Sequence, residues 1–586
     1  MVRAEYDPTV PPMKIAVHIG GSDAEGMLAR QNLTASTPSL RSVTGGGIGW
    51  LPGGIVHERD GNLLVVSGTP IDLPDLSSIR DYRDAMRVLP ECNGAFAAVY
   101  WDETHRKLVA VTDHLGFKPL YLHRRPGELR LSSDTKAIPG PPDLAAWGAF
   151  IALGHTIGDR TLVEGVERVR PASILVYDSD TDHLEEEHYW RWPNPKNAVD
   201  TDALVGALRH SVAEYARYGE PGTVLLSGGF DSRLILFLLK EAGLAAKATI
   251  VSHRDEFFDA DGRFAAAIAR RAGVPHTRVV SGKDFFSSHA FLDYLAASDA
   301  ATPSLYLFVS QIAQFIGAGA VWEGVVPGYT LTVPHQPPGG FAAYLAQECK
   351  GPDSEIWRAA ALLFRKDVHA EMYEGFQADL RREMDRYADD GYGVSEFIVR
   401  NRMRNRTSIN PYKVYENRAR AFTPGMTKAY WDVAGTLSYE LRRNNRFYLR
   451  LLRRHFPDAL SVPVLSGNTL VRPSPWSASY YVNRLLVTAA RRAAMHPRLA
   501  RRLVPPGDLL FSFEPSRFLD MALLRDPEDP FLDPSANLAA EGPVAKAAMK
   551  LLFHWRVWHW LHGGRLAEVL GPLAGPDGET PEQAAS

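Results

Sequence analysis

The segment TVLLSGGFDSR, residues 223–233, constrains the fold more than any other part of the sequence. Its first four residues are typical of a buried strand, and they run into two glycines and then into a helical pattern. Gly228 and Gly229 let the backbone approach an anion and tolerate positive φ. Ser227 and Ser232 add hydroxyl donors, and a helix that begins at Ser232 directs free N–H groups and its positive dipole end at the same point. The segment predicts a pyrophosphate-binding loop between a strand and a helix.

The carboxylate of Asp231 would repel a polyphosphate unless a cation lies between them, so we interpret this residue as a Mg²⁺ ligand. The loop is not a Walker A motif, which requires GxxxxGK[ST], and it lacks the GxGxxG spacing of a dinucleotide site. The alternative is an ordinary strand-turn-helix connection in which the two glycines only close the turn.

The residue pattern divides the chain into two parts. Residues 13–190 consist of short apolar runs between Gly, Pro, Asp and Ser, which indicates an antiparallel β-rich domain; the runs are KIAVHI, NLLVVSG, GAFAAVYWD, KLVAVTD, PLYLH and SILVYD. The proline-broken stretch 190–202 is a predicted linker. After it, Asp202 can cap a helix, and strands TVLL and KATIVS alternate with helices RLILFLLKEAG and GRFAAAIARRAG. This alternation predicts a parallel sheet with crossover helices, followed by a mainly helical, arginine-rich region over 355–515.

Composition excludes several classes of protein. Hydrophobic residues make up 45% of the 586 positions and charged residues 23%, which is typical of globular domains. The formal net charge of −3 provides no general field for nucleic acid or an anionic membrane, so neither is an expected partner. Cys92 and Cys349 are too few for a disulfide framework, which favours a reducing cytosol. The N-terminus has no secretory signal pattern, and the aromatic segment 544–566 is interrupted by charge, which predicts a docked amphipathic helix rather than a membrane span.

SGGFDS resembles the loop of the ATP-pyrophosphatase group that includes asparagine synthetases, β-lactam synthetases and lasso peptide cyclases. The segment GAFAAVYWDETHRKLVAVTDHLGFKPLYLH, residues 94–123, is similar to part of the glutaminase domain of asparagine synthetase. The resemblance implies a glutaminase-like Ntn-hydrolase sandwich followed by an α/β synthetase domain. It also implies ATP and Mg²⁺ as cofactors, and activation of a carboxylate as an acyl-adenylate with release of pyrophosphate. An acyl-adenylate is needed because a free carboxylate is a poor electrophile.

Glutaminases of this type use an N-terminal cysteine as the nucleophile, and here position 2 is Val2. Neither Cys92 nor Cys349 can replace it, so we expect no ammonia from glutamine and an amine that arrives with the substrate. The N-terminal domain is then a retained structural support or, alternatively, a binding domain.

The segment AVWEGVVPGYTLT, 320–332, is similar to the GEGSDELFGGY-like stretch of asparagine synthetases, with Glu323 and Gly324 at matching positions. Such a glutamate could accept the proton of the attacking amine or orient it, or it could be merely structural. β-Lactam synthetases carry a tyrosine there. Val326 replaces the second Mg²⁺ aspartate of the family. Substitutes could come from an acidic loop that is more typical of a solvated helix start; its members are Asp255, Glu256, Asp259 and Asp261.

Further along, YENRARAFTPGM, 415–426, resembles the glutamate-arginine-proline segment of asparagine synthetases, which makes Glu416 and Arg418 site candidates. The family's late lysine, which contacts pyrophosphate, has no clear counterpart, since SGNTLVRP, 466–473, offers only Arg472. The late arginines could balance a triphosphate or an acidic peptide, although their spacing favours a solvated helix face; they are Arg400, Arg402, Arg404, Arg406, Arg442, Arg443 and Arg446.

These observations give a set of predicted sites and boundaries. The expected catalytic residues are Glu323, Asp231 and Glu416, and Asp231 is also the metal ligand. The expected nucleotide-binding residues are Leu226, Ser227, Gly228, Gly229, Asp231, Ser232, Val251, Ser252 and Gly324. The predicted domains are a degenerate amidotransferase-like domain over 1–195, a synthetase domain over 200–515 and a helical extension over 516–586.

The leading hypothesis is a cytoplasmic lasso peptide cyclase. An Asp or Glu side chain of a core peptide is adenylated, and the peptide's own α-amine then displaces AMP to close a macrolactam ring. The resemblance implies a precursor peptide, a leader peptidase and a leader-recognition protein as partners. The alternatives are a small-molecule lactam or amide synthetase, β-lactam synthetase-like or a glutaminase-deficient asparagine synthetase, and a catalytically inactive nucleotide-binding scaffold.

Overall fold

The computed structural model describes residues 12–571 except 34–35, 197, 220–221, 245–246, 253–259, 281–287, 334–339, 467–468, 537–541 and, apart from isolated positions, 302–318 and 471–520.

The N-terminal part contains two six-stranded antiparallel sheets. The first sheet runs, in spatial order, through Val166–Arg168 (β10), Tyr121–Arg125 (β8), Glu128–Ser132 (β9), Ile15–Ile19 (β1), Gly46–Trp50 (β3) and Ser39–Val43 (β2). The second runs through His183–His188 (β12), Ser173–Asp178 (β11), Lys107–Thr112 (β7), Asn93–Asp102 (β6), Asn62–Ile71 (β5) and Ile55–Arg59 (β4). The helices of this part are Ala24–Gln31 (α1), Tyr82–Val88 (α2) and Leu144–Leu153 (α3).

The two sheets pack face to face because alternate side chains of each strand point inward. Ile15 and Val17 of β1 lie in one buried cluster with Val65 of β5 and Val99 of β6. The opposite faces of β5 and β6 pack against α2 in a second cluster. The predicted antiparallel β-rich sandwich is therefore confirmed, and each of the six predicted runs contributes to a strand.

The following part contains a five-stranded parallel sheet. Its spatial order is His276–Val280 (β15), Lys247–Ser252 (β14), Thr223–Leu225 (β13), Ala320–Trp322 (β16) and Arg420–Phe422 (β17), and every described pairing is parallel. The predicted parallel sheet is confirmed. Along the chain, β14 and β15 follow β13 on one side of the sheet, and β16 and β17 are then added on the other side. In open α/β sheets, ligands bind at the carboxyl ends of the strands where the order changes direction, which here is between β13 and β16.

Helices surround this sheet and extend beyond it. They are Thr201–Ala216 (α4), Phe230–Glu241 (α5), Ala260–Ala272 (α6), His289–Ala297 (α7), Val325–Thr330 (α8), Gly340–Glu348 (α9), Glu355–Leu363 (α10), Lys366–Met384 (α11), Gly391–Ile398 (α12), Lys428–Ala434 (α13), Tyr439–Arg442 (α14), Arg446–His455 (α15), Pro543–His562 (α16) and Leu566–Leu570 (α17). The cap of α4 is Asp200 and not the predicted Asp202, because the Asp200 side chain accepts from the Asp202 N–H at 2.9 Å.

The predicted docked helix near the C-terminus is confirmed as α16. Its Trp555 and Trp558 lie edge-on to Trp147 of α3, with ring centroids 4.8 and 5.9 Å away. Aromatic pairs of this geometry add to the stabilisation from burial. Within the described parts of the chain, no helix is both long and apolar enough to span a bilayer.

The late arginines do not all lie on a solvated helix face. The interpretation as a solvated face was wrong for Arg402, Arg404 and Arg442, which are 8%, 2% and 3% exposed. Arg404 lies on a π-helical segment, Val399–Thr407, and it donates to the carbonyl oxygens of Arg168 and Val169 at 3.0 and 2.8 Å. These bonds join the helical region to the N-terminal sandwich. Arg443 and Arg446 are exposed, as the spacing predicted.

A buried ion cluster joins the same two parts. Asp134, after β9, lies 3.2, 2.9 and 2.9 Å from the ammonium nitrogens of Lys14, Lys136 and Lys413. Asp299, after α7, pairs with Lys413 and, at 3.0 Å, with Lys136. All five side chains are buried, so each charge depends on its partners for compensation.

We expect Asp299→Asn to destabilise the protein strongly. The substitution leaves Lys136 and Lys413 with Asp134 as their remaining carboxylate, and breaking a buried pair costs about 3–5 kcal/mol. The lysines hold the pKa of Asp299 below its usual value, so this stabilisation is present at neutral pH and is lost as the pH falls through that pKa. Differential scanning calorimetry measures the effect as a lower melting temperature.

The matched control is Glu241→Gln, because Glu241 and its partner Arg209 are 44% and 43% exposed and exposed pairs contribute about 0–1 kcal/mol. Equal melting temperatures for the two variants would show that the cluster is not a stabilising junction.

Candidate active site

The loop after β13 connects two neighbouring strands to a helix. Leu226 is buried, and its N–H donates to the carbonyl oxygen of Thr249 in β14 at 2.8 Å. Ser227 and Ser232 then close the turn, because their hydroxyl oxygens lie 3.0 Å apart and the Ser227 N–H donates to the Ser232 oxygen at 3.0 Å. The Gly229 N–H donates to the Ser227 hydroxyl at 3.2 Å. Both serine hydroxyls therefore stabilise the turn of the loop.

Helix α5 begins at Phe230, two residues before the predicted start at Ser232. Its N-cap is Gly229, with φ −80° and ψ 178°, so this glycine is extended and is not needed for positive φ as predicted. No side chain caps the helix, and the first-turn N–H groups lack acceptors within the helix. Asp231 and Ser232 thus lie in a first turn whose backbone donors and dipole favour an anion.

Arg233 is a site residue that the sequence analysis missed. Its guanidinium is fully buried and donates to the carbonyl oxygens of Gly228 and Gly229 at 3.0 Å each. It also donates to three carbonyls of the segment 459–463, at 2.7–3.0 Å. These bonds fix the carbonyl ends of the glycine peptides. Burial lowers the pKa of Arg233 to about 10, so the group remains a cation beneath the loop at neutral pH.

Asp231 and Glu323 are two carboxylates that follow adjacent strands of the parallel sheet, and the Asp231 charge acts on the pKa of Glu323. Glu323 directly follows β16, which pairs with β13, so both residues lie at the edge where the strand order changes direction. The turn after Glu323 lies against Asp231: a Cβ added to Gly324 would be 2.9 Å from the Asp231 carbonyl carbon, and one added to Gly328 would be 2.3 Å from Asp231 Oδ2. Only glycine permits this approach.

The pair has the properties of a divalent-cation site. Asp231 Oδ1 and Glu323 Oε2 are buried and accept no hydrogen bond from the described residues. Burial raises the pKa of Asp231 to about 7, and the nearby Tyr448 phenol partly offsets this increase. Burial and the Asp231 charge raise the pKa of Glu323 to about 7. Two desolvated carboxylates, each with one oxygen that has no donor among the described residues, favour a proton or a hard cation, and oxygen ligands suit Mg²⁺.

The remaining predicted residues around this site have different surroundings. Val251 and Ser252 end β14, beside the loop strand. Val326, where the family has a second aspartate, is fully buried, and it lies so close to Gly425 that a Cβ there would be 2.6 Å from the valine side chain. It belongs to the core and offers no ligand.

Glu416 lies in a different cluster from the loop. Its buried carboxyl forms an ion pair with Lys118 of the N-terminal sandwich, and its charged surroundings are Lys118, Lys14 and Asp113. The ion pair gives Glu416 a structural role, which is an alternative to the predicted catalytic role. Arg418, the weak candidate beside it, forms a surface ion pair with Asp293.

Asp261 is the member of the acidic loop that reaches the site. Its Oδ1 accepts a hydrogen bond from the Gly228 N–H at 2.9 Å, so the expectation of a solvated helix start was wrong for this residue. Asp255, Glu256, Asp259 and Arg472 lie outside the described residues. A separate group of potential ligands lies where the end of β5 meets α4, and it consists of Asp72, His210 and Glu214.

Two family models match consecutive parts of the chain. Residues 82–190 match the glutamine amidotransferase domain, and residues 203–318 match asparagine synthase. The first match covers strands of the sandwich, and the second covers the loop and the parallel sheet as far as the residues before β16.

Curated proteins with related sequences include "Asparagine synthetase [glutamine-hydrolyzing] 3" of Bacillus subtilis (strain 168), with 28% identity over 218 residues, 33% of this chain and 35% of that protein. "Carboxyethyl-arginine beta-lactam-synthase" of Streptomyces clavuligerus is 27% identical over 198 residues, 33% of this chain and 37% of that protein. The chain thus spans little more than a third of the length of these relatives. A solved glutamine phosphoribosylpyrophosphate amidotransferase from B. subtilis aligns over 64% of this chain and 94% of its own, at 12% identity and a TM-score of only 0.23.

We expect divalent-cation binding at the Asp231 and Glu323 pair to strengthen as the pH rises from 6 to 8. Both carboxyls have pKa values raised to about 7, so below that pH a cation must displace protons, and its affinity falls up to about tenfold per pH unit for each proton released. Titration with Mn²⁺, followed by electron paramagnetic resonance, measures this dependence.

Asp231→Asn and Glu323→Gln should each remove the pH-dependent component of the Mn²⁺ affinity. Asp72→Asn is the control, because it changes the separate group of potential ligands and should leave that component intact. A pH-independent affinity, or a component that is lost in Asp72→Asn alone, would place the cation elsewhere.

Proposed function

We propose that this chain, in which an amidotransferase-like domain precedes an asparagine synthase-like domain, is an ATP-dependent carbon–nitrogen ligase that releases AMP and pyrophosphate. The observation that carries the proposal is the loop from Ser227 to Ser232 beside the carboxylates of Asp231 and Glu323. The loop offers backbone donors, a helix N-terminus and the buried Arg233 cation to the phosphates of ATP. Mg²⁺ held by Asp231 and Glu323 would neutralise the negative charge of these carboxylates, which would otherwise repel the phosphates.

In this mechanism, a substrate carboxylate attacks the α-phosphorus of ATP, and pyrophosphate leaves toward the loop. The fixed donors of the loop stabilise the negative charge that develops on the leaving group. An amine then attacks the acyl carbon and displaces AMP, and it must lose a proton in doing so. Glu323, with a pKa raised to about 7, is suited to accept that proton near neutral pH when it is not engaged by a cation.

The cysteines of the chain support an amine source other than glutamine. Burial raises the pKa of the Cys92 thiol to about 12, and burial also raises that of Cys349. Nucleophilic cysteines have lowered pKa values and accessible thiolates, so neither residue is prepared for glutaminase chemistry.

We therefore propose an amine supplied by the substrate itself, and specifically the closure of a macrolactam ring on a lasso precursor peptide. Intramolecular attack needs no ammonia, and the fixed geometry of a bound peptide supplies much of the rate acceleration. A leader peptidase that exposes the α-amine and a leader-recognition protein are the partners that this role requires. Glu323 favours this reading over a β-lactam synthetase-like one, because those enzymes carry a tyrosine at this position.

A small-molecule amide or lactam synthetase is the second candidate, and the likeness to the beta-lactam-synthase supports it. A third is a nucleotide-binding scaffold without turnover. The three candidates differ in what stimulates the exchange of pyrophosphate into ATP.

ATP–pyrophosphate exchange should be stimulated by linear peptides that have a free α-amine and one internal Asp or Glu, and the peptides should lose one water on closing the ring, as measured by mass spectrometry. Exchange with free aspartate or β-amino acids but not with peptides would select the small-molecule reading. ATP binding without exchange for any carboxylate would select the scaffold.

Asp231→Ala should lower the exchange rate by at least about a hundredfold, as losses of transition-state charge stabilisation do. Glu241→Gln, at the far end of the same helix, changes the net charge equally and should exchange at the parental rate. Parental exchange in Asp231→Ala would remove the loop from the chemistry.

A further inference from the structure

The Gly228 N–H donates to Asp261 Oδ1 at 2.9 Å. This N–H belongs to the glycine turn that precedes α5, where backbone donors converge on the helix N-terminus. Asp261 comes from the first turn of α6, which follows β14 on one side of the loop strand. A carboxylate oxygen thus occupies one of the donors that the loop would present to a phosphate oxygen.

The Asp261 carboxylate also interacts with the guanidinium of Arg233. The Asp261 charge acts to raise the pKa of Arg233, against the lowering effect of burial, so the two charges are close enough to stabilise each other. Arg233 in turn holds the carbonyl ends of Gly228 and Gly229. The positive charge of the loop is therefore compensated within the chain when no ligand is bound.

We propose that Asp261 is an internal substitute for a phosphate: it binds the Gly228 N–H in the empty loop and gives that donor up when the pyrophosphate part of a nucleotide binds. The inference rests on the proposed function, since it concerns the same loop. A carboxylate and a phosphate cannot share one N–H without strong repulsion between like charges, so ligand binding requires Asp261 to move away. The residue thereby weakens binding of unneutralised phosphates and keeps the empty loop in its binding shape.

Two other roles for Asp261 lead to different expectations. If Asp261 only anchors the loop, asparagine should serve equally well, because its side-chain oxygen can still accept from the Gly228 N–H. If Asp261 is a ligand for Mg²⁺, removal of its charge should weaken the binding of Mg·ATP and leave metal-free pyrophosphate unaffected.

The test is calorimetric titration with pyrophosphate in EDTA and with ATP plus Mg²⁺. The variants are Asp261→Asn, which keeps the acceptor, and Asp261→Ala, which removes it. We expect Asp261→Asn to bind metal-free pyrophosphate roughly tenfold more tightly than the parent, because one opposing charge is removed. Asp261→Ala should bind no more tightly than Asp261→Asn, because the loop also loses an anchor.

Glu241→Gln is the control for net charge. It lies ten residues along α5 from Asp231, or about 15 Å, and should not change the affinity. Circular dichroism and melting temperature establish that each variant is folded.

Equal pyrophosphate affinity for parent and Asp261→Asn would overturn the inference while leaving the proposed function intact. Weaker Mg·ATP binding by Asp261→Asn, with unchanged pyrophosphate binding, would overturn it in favour of a metal ligand. Absence of pyrophosphate binding by parent and both variants would overturn the inference, and absence of Mg·ATP binding as well would overturn the proposed function with it. Binding by Asp261→Asn alone would support the inference even where the parent shows none.

Discussion

Five main-chain carbonyl oxygens surround the guanidinium of Arg233, two from the glycine turn and three from the segment 459–463. A planar cation with five donors can hold several carbonyls in fixed directions, which a lysine cannot do. Because each peptide unit is rigid, fixing the carbonyls of Gly228 and Gly229 also fixes the N–H groups of the residues that follow them. The shape of the loop and its positive potential therefore have a common origin in one buried side chain.

The N-terminal sandwich is joined to this site through buried charges rather than through a loose linker. Lys118 of the sandwich pairs with Glu416, and the preceding residue, Tyr415, has its pKa raised well above the usual range by burial and by the charge of Glu323. The cluster around Asp134 and Asp299 lies in the same interface. Of the two roles that the sequence allows for this domain, structural support accounts for these contacts directly, because breaking the pairs would leave uncompensated charge beside the site.

The sequence predicts the fold well where one short pattern carries the information. The strand, the glycine pair and the helix of residues 223–233 predict the parallel sheet and the position of Asp231, and the resemblance at Glu323 identifies the other half of the carboxylate pair. The arginines show the limit of such reasoning. The spacing of Arg404 is that of a solvated helix face, yet carbonyl groups of the sandwich, more than 230 positions away, bind its guanidinium. Arg233 was missed, and Asp261 was assigned to a solvated helix start, for the same reason: their partners are determined by the tertiary fold and not by neighbours in sequence.

Under the proposed function, the charges around the loop would disfavour a cation or a phosphate that binds alone. A free phosphate meets the carboxylates of Asp231, Glu323 and Asp261, and burial makes the ionisation of the first two unfavourable near pH 7. A free cation meets Arg233 and the positive end of α5, which disfavour it. A cation–phosphate complex would suit both sets, because Asp231 and Glu323 could hold the metal and the N–H groups of the loop could donate to phosphate oxygens. Under the proposed function, the opposed charges would favour the metal complex of a nucleotide over either component, while the raised pKa values follow from burial and, for Glu323, from the charge of Asp231.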